Sequence, residues 1–114
     1  MDNRLSDALA FANYRLTLQI QRQNIAARVE VALTFSYQNA IFKASISTIS
    51  FVDVKVRANT DLYIEDQSAN VVKIEDPSAF LAALINVYDS AMQLKLEEQQ
   101  KLKFARTTAK IVGL

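Results

Sequence analysis

Five carboxylates fall between Asp61 and Asp76, namely Asp61, Glu65, Asp66, Glu75 and Asp76, and carboxylate oxygens are the ligands that magnesium and calcium take. Their spacing does not follow a calcium-binding loop, and the glycine such a loop needs at its centre is missing. Asp66 and Asp76 also stand where a turn and a helix cap need them. A solvated, turn-forming role is the better reading, and no metal site is expected. Arg4, Arg15, Arg22 and Arg28 could track phosphates, since cations neutralise a nucleic-acid backbone. Only Arg15 and Arg22, and roughly Arg22 and Arg28, share a face, and the interleaved Phe11 and Tyr14 already belong to an apolar stripe. Pairing with carboxylates of another subunit is the stronger reading. Hydroxyls crowd Ser45 to Ser50, where without histidine only a lysine or a carboxylate could serve as base; Lys43 and Lys55 are near in sequence, but no strained glycine elbow is available to present a nucleophile. Lys101, Lys103, Arg106 and Lys110 make a basic end whose simplest role is to oppose a helix dipole.

What is missing narrows the chemistry further. The chain has no histidine and no cysteine, which removes the usual proton shuttle near neutral pH, thiolate nucleophiles, structural zinc and disulfides. Gly113 is the sole glycine and Pro77 the sole proline, so a phosphate-cradling glycine loop cannot be built. No catalytic, cofactor-binding or metal-ligating residue is therefore expected, and the chain reads as a non-enzyme without a cofactor.

The elements that would position any site are read from pattern. Composition is that of an ordinary globular protein, 51% apolar and 22% charged over 114 residues, and one domain is expected. Net charge is +1, with +3 over residues 1–60 and −2 over 61–114, too mild for strong electrostatic capture of nucleic acid. The opening MDNRLSDALAF is not read as a secretory signal, and no eighteen-residue apolar run suggests a membrane span.

From Leu5 to Tyr37 neither glycine nor proline interrupts the chain. Phe11, Leu18, Ile25 and Ala32 recur every seven residues, with Tyr14 and Phe35 between them, which predicts a long helix with one apolar stripe. A second row, Leu5, Leu9, Ala12 and Leu16, is read as lying beside it. The helix is expected to begin near Asn3, with Asp2, Asn3 or Ser6 as cap, and to end between Phe35 and Asn39, where Asn39 can take the left-handed conformation. From Ala40 the texture becomes β-branched. Phe42, Ala44 and Ile46 alternate with polar residues as a strand, and Val52, Val54 and Val56 favour a second. Ile46, Ile49, Val52 and Val56 would also make one face of a helix capped by Ser45, but strand is preferred on composition. Leu62 to Ile64 and Val71 to Ile74, separated by a turn with Asp66 and Asn70 at its corners, predict a hairpin that pairs with the strand near Phe42 or Phe51. Asp76 and Pro77 then open a second long helix, with Leu81, Leu84, Ile85, Tyr88, Ala91, Met92 and Leu96 on one face. The expected fold is α+β: two long helices flanking a small antiparallel sheet, in the order helix, strands with hairpin, helix.

Such a fold has more apolar stripe than one small sheet can cover. Part of Phe11, Leu18, Ile25 or the Leu96 to Leu102 edge would face water, and exposed patches of that kind mark association surfaces. Those five residues are the candidate interaction site. The expected partner is protein, through self-association or docking into a larger assembly, with no membrane and with nucleic acid as an alternative.

Three stretches, DNRLSDALAFANYRLTL, LYIEDQSANVVKIEDPSAF and KLKFARTTAKIVGL, are similar to small proteins of T4-like, cyanophage-type tailed bacteriophages. That family commonly carries glycines before Phe42 and after Val56, where this chain has Asn39-Ala40 and Arg57-Ala58, and its segment near Ile49 to Val56 looks helical. The resemblance implies a minor virion component or assembly accessory, located in the virion or the host cytoplasm, with no catalytic residue to carry over. The alternative is a small cytoplasmic regulator that binds a protein or nucleic acid.

Overall fold

The amino-terminal helix α1 runs Asn3–Ala32 in the computed structural model, which describes residues 3–111 and the side chains of residues 3–105. Strands β1 (Thr34–Tyr37) and β2 (Ala40–Lys43), helix α2 (Ile46–Ala58), strands β3 (Leu62–Glu65) and β4 (Val71–Ile74), and helix α3 (Pro77–Ile111) follow in order. The α+β class and the order of helix, strands with hairpin and helix are as expected. The middle differs in detail, with a third helix and two separate two-stranded antiparallel sheets, β1-β2 and β3-β4.

The chain divides into two units, residues 29–94 and residues 1–28 with 95–114. The first holds the strands, α2, the last turn of α1 and the opening half of α3. Among the described residues it also holds every buried apolar side chain except one: Val29, Leu33, Ala40, Phe42, Ala44, Val52, Leu62, Ile74, Phe80, Leu84 and Ala91 lie here, and only Ile25 belongs to the other unit.

Helix α1 stops at Ala32, earlier than the expected 35 to 39, because Phe35 and Tyr37 are needed in an aromatic cluster rather than on a helical stripe. The Phe80 ring lies 6.1 Å from Phe35, 5.0 Å from Tyr37 and 5.1 Å from Phe42, centroid to centroid, spacings at which aromatic pairs attract beyond their burial. Asn39 does take positive φ, at 62°, with Gln38 at 48°. The two are the centre of a tight hairpin in which Tyr37 opposes Ala40, as a type I′ turn requires, so the residue ends a strand and not a helix.

The preference for strand over residues 46–56 is overturned. Ser45, extended at φ −86° and ψ 159°, accepts the Thr48 backbone N–H on its hydroxyl, and Val52 is fully buried at the centre of the face formed with Ile49 and Val56. Asn59, at φ 53° and ψ 44°, ends this helix: its N–H donates to the Val56 carbonyl and the Thr60 N–H to that of Lys55, a Schellman closure made without glycine.

The hairpin from Leu62 to Ile74 is where the pattern placed it, with Leu62 opposite Ile74 and Glu65 opposite Val71. It does not join β2 in one sheet. The Gln67 N–H donates to the Ile41 carbonyl at 2.8 Å, and the Gln38 carboxamide donates to the Lys73 carbonyl and accepts from the Glu75 N–H. Helix α3 begins as read: Pro77 is its first residue, and the Asp76 carboxylate accepts the Ala79 N–H at 3.1 Å. Asp2 and Gly113 lie outside the described residues, as do the side chains of Arg106 and Lys110.

Candidate interaction site

Helix α1 turns about 100° per residue, which sets the two apolar rows of its sequence on roughly opposite faces. The expectation that Leu5, Leu9, Ala12 and Leu16 lie beside the main stripe is therefore corrected. Along the main stripe burial increases towards the carboxyl end: Phe11 is 62% exposed, Leu18 is half-buried, and Ile25 is 6% exposed. Along the other row Leu5, Leu9, Leu16 and Ile20 are all exposed.

Of the five candidate residues, the fold brings Ile25 and Leu102 together at a cavity of about 420 Å³. Phe11 and Leu18 line a more open hollow along α1 with Tyr14 and Arg15, and the Arg15 guanidinium lies 5.8 Å from the centre of the Phe11 ring. Leu96 is exposed on α3.

Arg22, Ala26, Lys95, Gln99 and Lys103 complete the lining of the 420 Å³ cavity. Its floor is apolar and its charged groups are all cations. Next to it, Arg28 spans to Glu98 with nitrogen-oxygen distances of 3.5 and 3.4 Å, which ties α1 to α3 in a paired geometry. By spacing alone Arg22 reads as one of a row on α1 and Lys103 as part of a basic helix end, and Lys95 belongs to neither. Their convergence depends on the pairing of two segments seventy residues apart, which no local spacing announces. The row of Leu5, Leu9, Ala12 and Leu16 is legible as a spacing, and helix geometry adds the exposed Ile20 to it.

The remaining candidates have local duties. The Asp66 carboxylate accepts the N–H groups of Ser68 and Asn70, each at 2.9 Å, and Asp76 caps α3. Ser45 caps α2, with the Ser47 and Thr48 hydroxyls at 3.1 and 2.9 Å. The Lys43 ammonium pairs with Glu30 at 2.6 Å. Among the described residues no group of three or more carboxylates is placed to hold a metal ion, and no helix is long and apolar enough to cross a membrane. No protein-family model, no curated protein and no solved structure shows a significant match to this chain.

Proposed function

We propose that this chain is a non-enzymatic structural or interaction protein that docks onto other protein through apolar helix faces, as a minor virion component or assembly accessory of a tailed bacteriophage. One observation carries the docking: among the described residues of the unit 1–28 and 95–114, Leu5, Leu9, Phe11, Leu16, Ile20, Leu96 and Phe104 are exposed and only Ile25 is buried. An isolated helix in water draws little stability from propensity, and most comes from packing an apolar face. Two opposite apolar rows on α1 give it two faces to pack, and a burial of that kind on a partner would stabilise the helix as it binds.

The phage setting is supported by the three stretches similar to T4-like phage proteins. A small cytoplasmic regulator that binds protein or nucleic acid is the second reading, favoured by the cations gathered around the Ile25 cavity.

Sedimentation over a wide concentration range, together with a search for the chain in purified phage particles, tests the proposal. A concentration-dependent rise in mass, or a fixed copy number per particle, is expected. A monomer at every concentration, absent from particles and inert towards phage proteins, would overturn it. Nucleic-acid binding would show a steep loss of affinity with added salt.

A further inference from the structure

The division of the chain into units also divides its charge. Residues 1–28 and 95–114 hold nine Lys and Arg against four Asp and Glu, +5, while residues 29–94 hold four against eight, −4. Separation on that scale, inside a chain of net charge +1, gives each unit a field that attracts the opposite unit of another copy. Counting by sequence halves blurs it, because the carboxyl-terminal part of α3 groups with α1.

Each unit has one surface suited to such an encounter. In the basic unit it is the 420 Å³ cavity, with Ile25, Ala26 and Leu102 as floor, and Arg22, Lys95 and Lys103 as its charged lining. An apolar floor under several cations suits an apolar or aromatic side chain flanked by carboxylates. In the acidic unit, the β3-β4 hairpin offers that combination. Leu62 and Ile74 are buried on its inner face, which turns Tyr63 (54% exposed) and Val71 (66%) outward. Glu65 pairs with Val71 in the ladder, Asp61 precedes the hairpin, and residues 61–76 carry five carboxylates against the single Lys73.

We propose that the basic groove of one copy receives the β3-β4 hairpin of a second copy, so that copies associate head to tail. The proposal rests on the reading of this chain as an interaction protein and names the partner of one of its surfaces. Groove and hairpin are different surfaces, so each association leaves one of each unfilled, and the assembly extends or closes into a ring. The groove suits nucleic acid less well, because no aromatic ring lines it for base stacking.

Two charge-reversed variants test this by complementation, in sedimentation or light scattering. One carries Arg22→Glu and Lys95→Glu in the groove, the other Asp61→Lys and Glu65→Lys on the hairpin. All four side chains are exposed, and circular dichroism checks that the folds persist. Each variant alone sets like charges against each other and should associate at least tenfold more weakly than the parent chain. An equimolar mixture restores opposite charges at every groove and should regain assembly, and the parent's association should weaken with added salt. Assembly that survives both reversals and added salt overturns the groove while leaving the interaction reading in place. A parent chain that stays monomeric at all concentrations overturns this proposal; if it then binds a single-stranded or duplex oligonucleotide, the groove serves nucleic acid instead.

Discussion

The side chain of Gln38 holds the backbone of Glu75 as a neighbouring strand would: its Oε1 accepts the Glu75 N–H at 3.0 Å while its Nε2 donates to the Lys73 carbonyl at 3.1 Å. A residue at the tip of one hairpin thus pairs with the far strand of the other. Both bonds are at exposed positions, so each is worth at most about 0.5–1.5 kcal/mol. Gln38→Ala should cost about 1–2 kcal/mol in urea unfolding. Gln38→Glu should cost more, since it sets a carboxylate oxygen against the Lys73 carbonyl. An unchanged urea midpoint in both variants would mean that the two hairpins are held together without this amide.

Phe80 is fully buried against Phe35, Tyr37 and Phe42, and Phe11, of the same residue type, lies mostly in water. Phe80→Ala should lower stability by about 3–5 kcal/mol, a large part of the ~5–15 kcal/mol typical of a folded chain. Phe11→Ala should change it by no more than about 0.5 kcal/mol. Thermal unfolding of the two variants at low protein concentration, where association does not contribute, makes the comparison. Similar losses would show that Phe11 is enclosed after all.

The same contrast explains what could be read in advance. Pro77 after Asp76 marked the start of α3 because both residues act within one turn, and the hairpin from Leu62 to Ile74 declared itself by alternation around Asp66. Strand β1 was hidden because Phe35 fits a helical stripe as well as it fits a strand, and only the distant Phe80 decides between them. Helix α2 was legible only as the alternative to strand, with Ile46, Ile49, Val52 and Val56 on one face behind a Ser45 cap. Its isoleucines and valines favour strands locally, and the Ser45 cap with the burial of Val52 outweighs them. In the candidate site, Ile25 and Leu102 stood out by spacing, but the gathering of Arg22, Lys95 and Lys103 around them depended on chain pairing.

If the cap decides α2, its loss should be visible. Ser45→Ala removes the acceptor for the Thr48 N–H and should cost about 1 kcal/mol, with Ser45→Asp close to neutral. Urea unfolding followed by circular dichroism reports both. A Ser45→Ala chain as stable as the parent would mean that α2 depends on Val52 burial alone.

Ala69 sits at φ 63° in the turn that Asp66 organises, a region that costs a residue with a Cβ roughly 1–2 kcal/mol. Glycine there removes the clash but adds about 0.4–1 kcal/mol of unfolded-state entropy to be lost on folding. Ala69→Gly should therefore raise stability by about 0.5 kcal/mol, seen as a small increase in the urea midpoint with an unchanged slope. A loss of stability would show that the turn relaxes to accommodate the methyl group.

Leu9 and Leu16, 57% and 55% exposed, lie two turns apart on the α1 face opposite Ile25. Replacing both by serine removes apolar surface that the isolated chain leaves in water, so each substitution should move stability by no more than about 0.5 kcal/mol. Serine is a weaker helix former than leucine, and a small loss of helicity is the expected side effect. If this row docks on other protein, the same double variant should lose that association, because buried leucine contributes about 1.5–3 kcal/mol and buried serine does not. Measuring unfolding and association on one variant separates the two effects. A chain that associates as before shows that Leu9 and Leu16 are exposed bystanders, and a chain that unfolds shows that they are part of its own core.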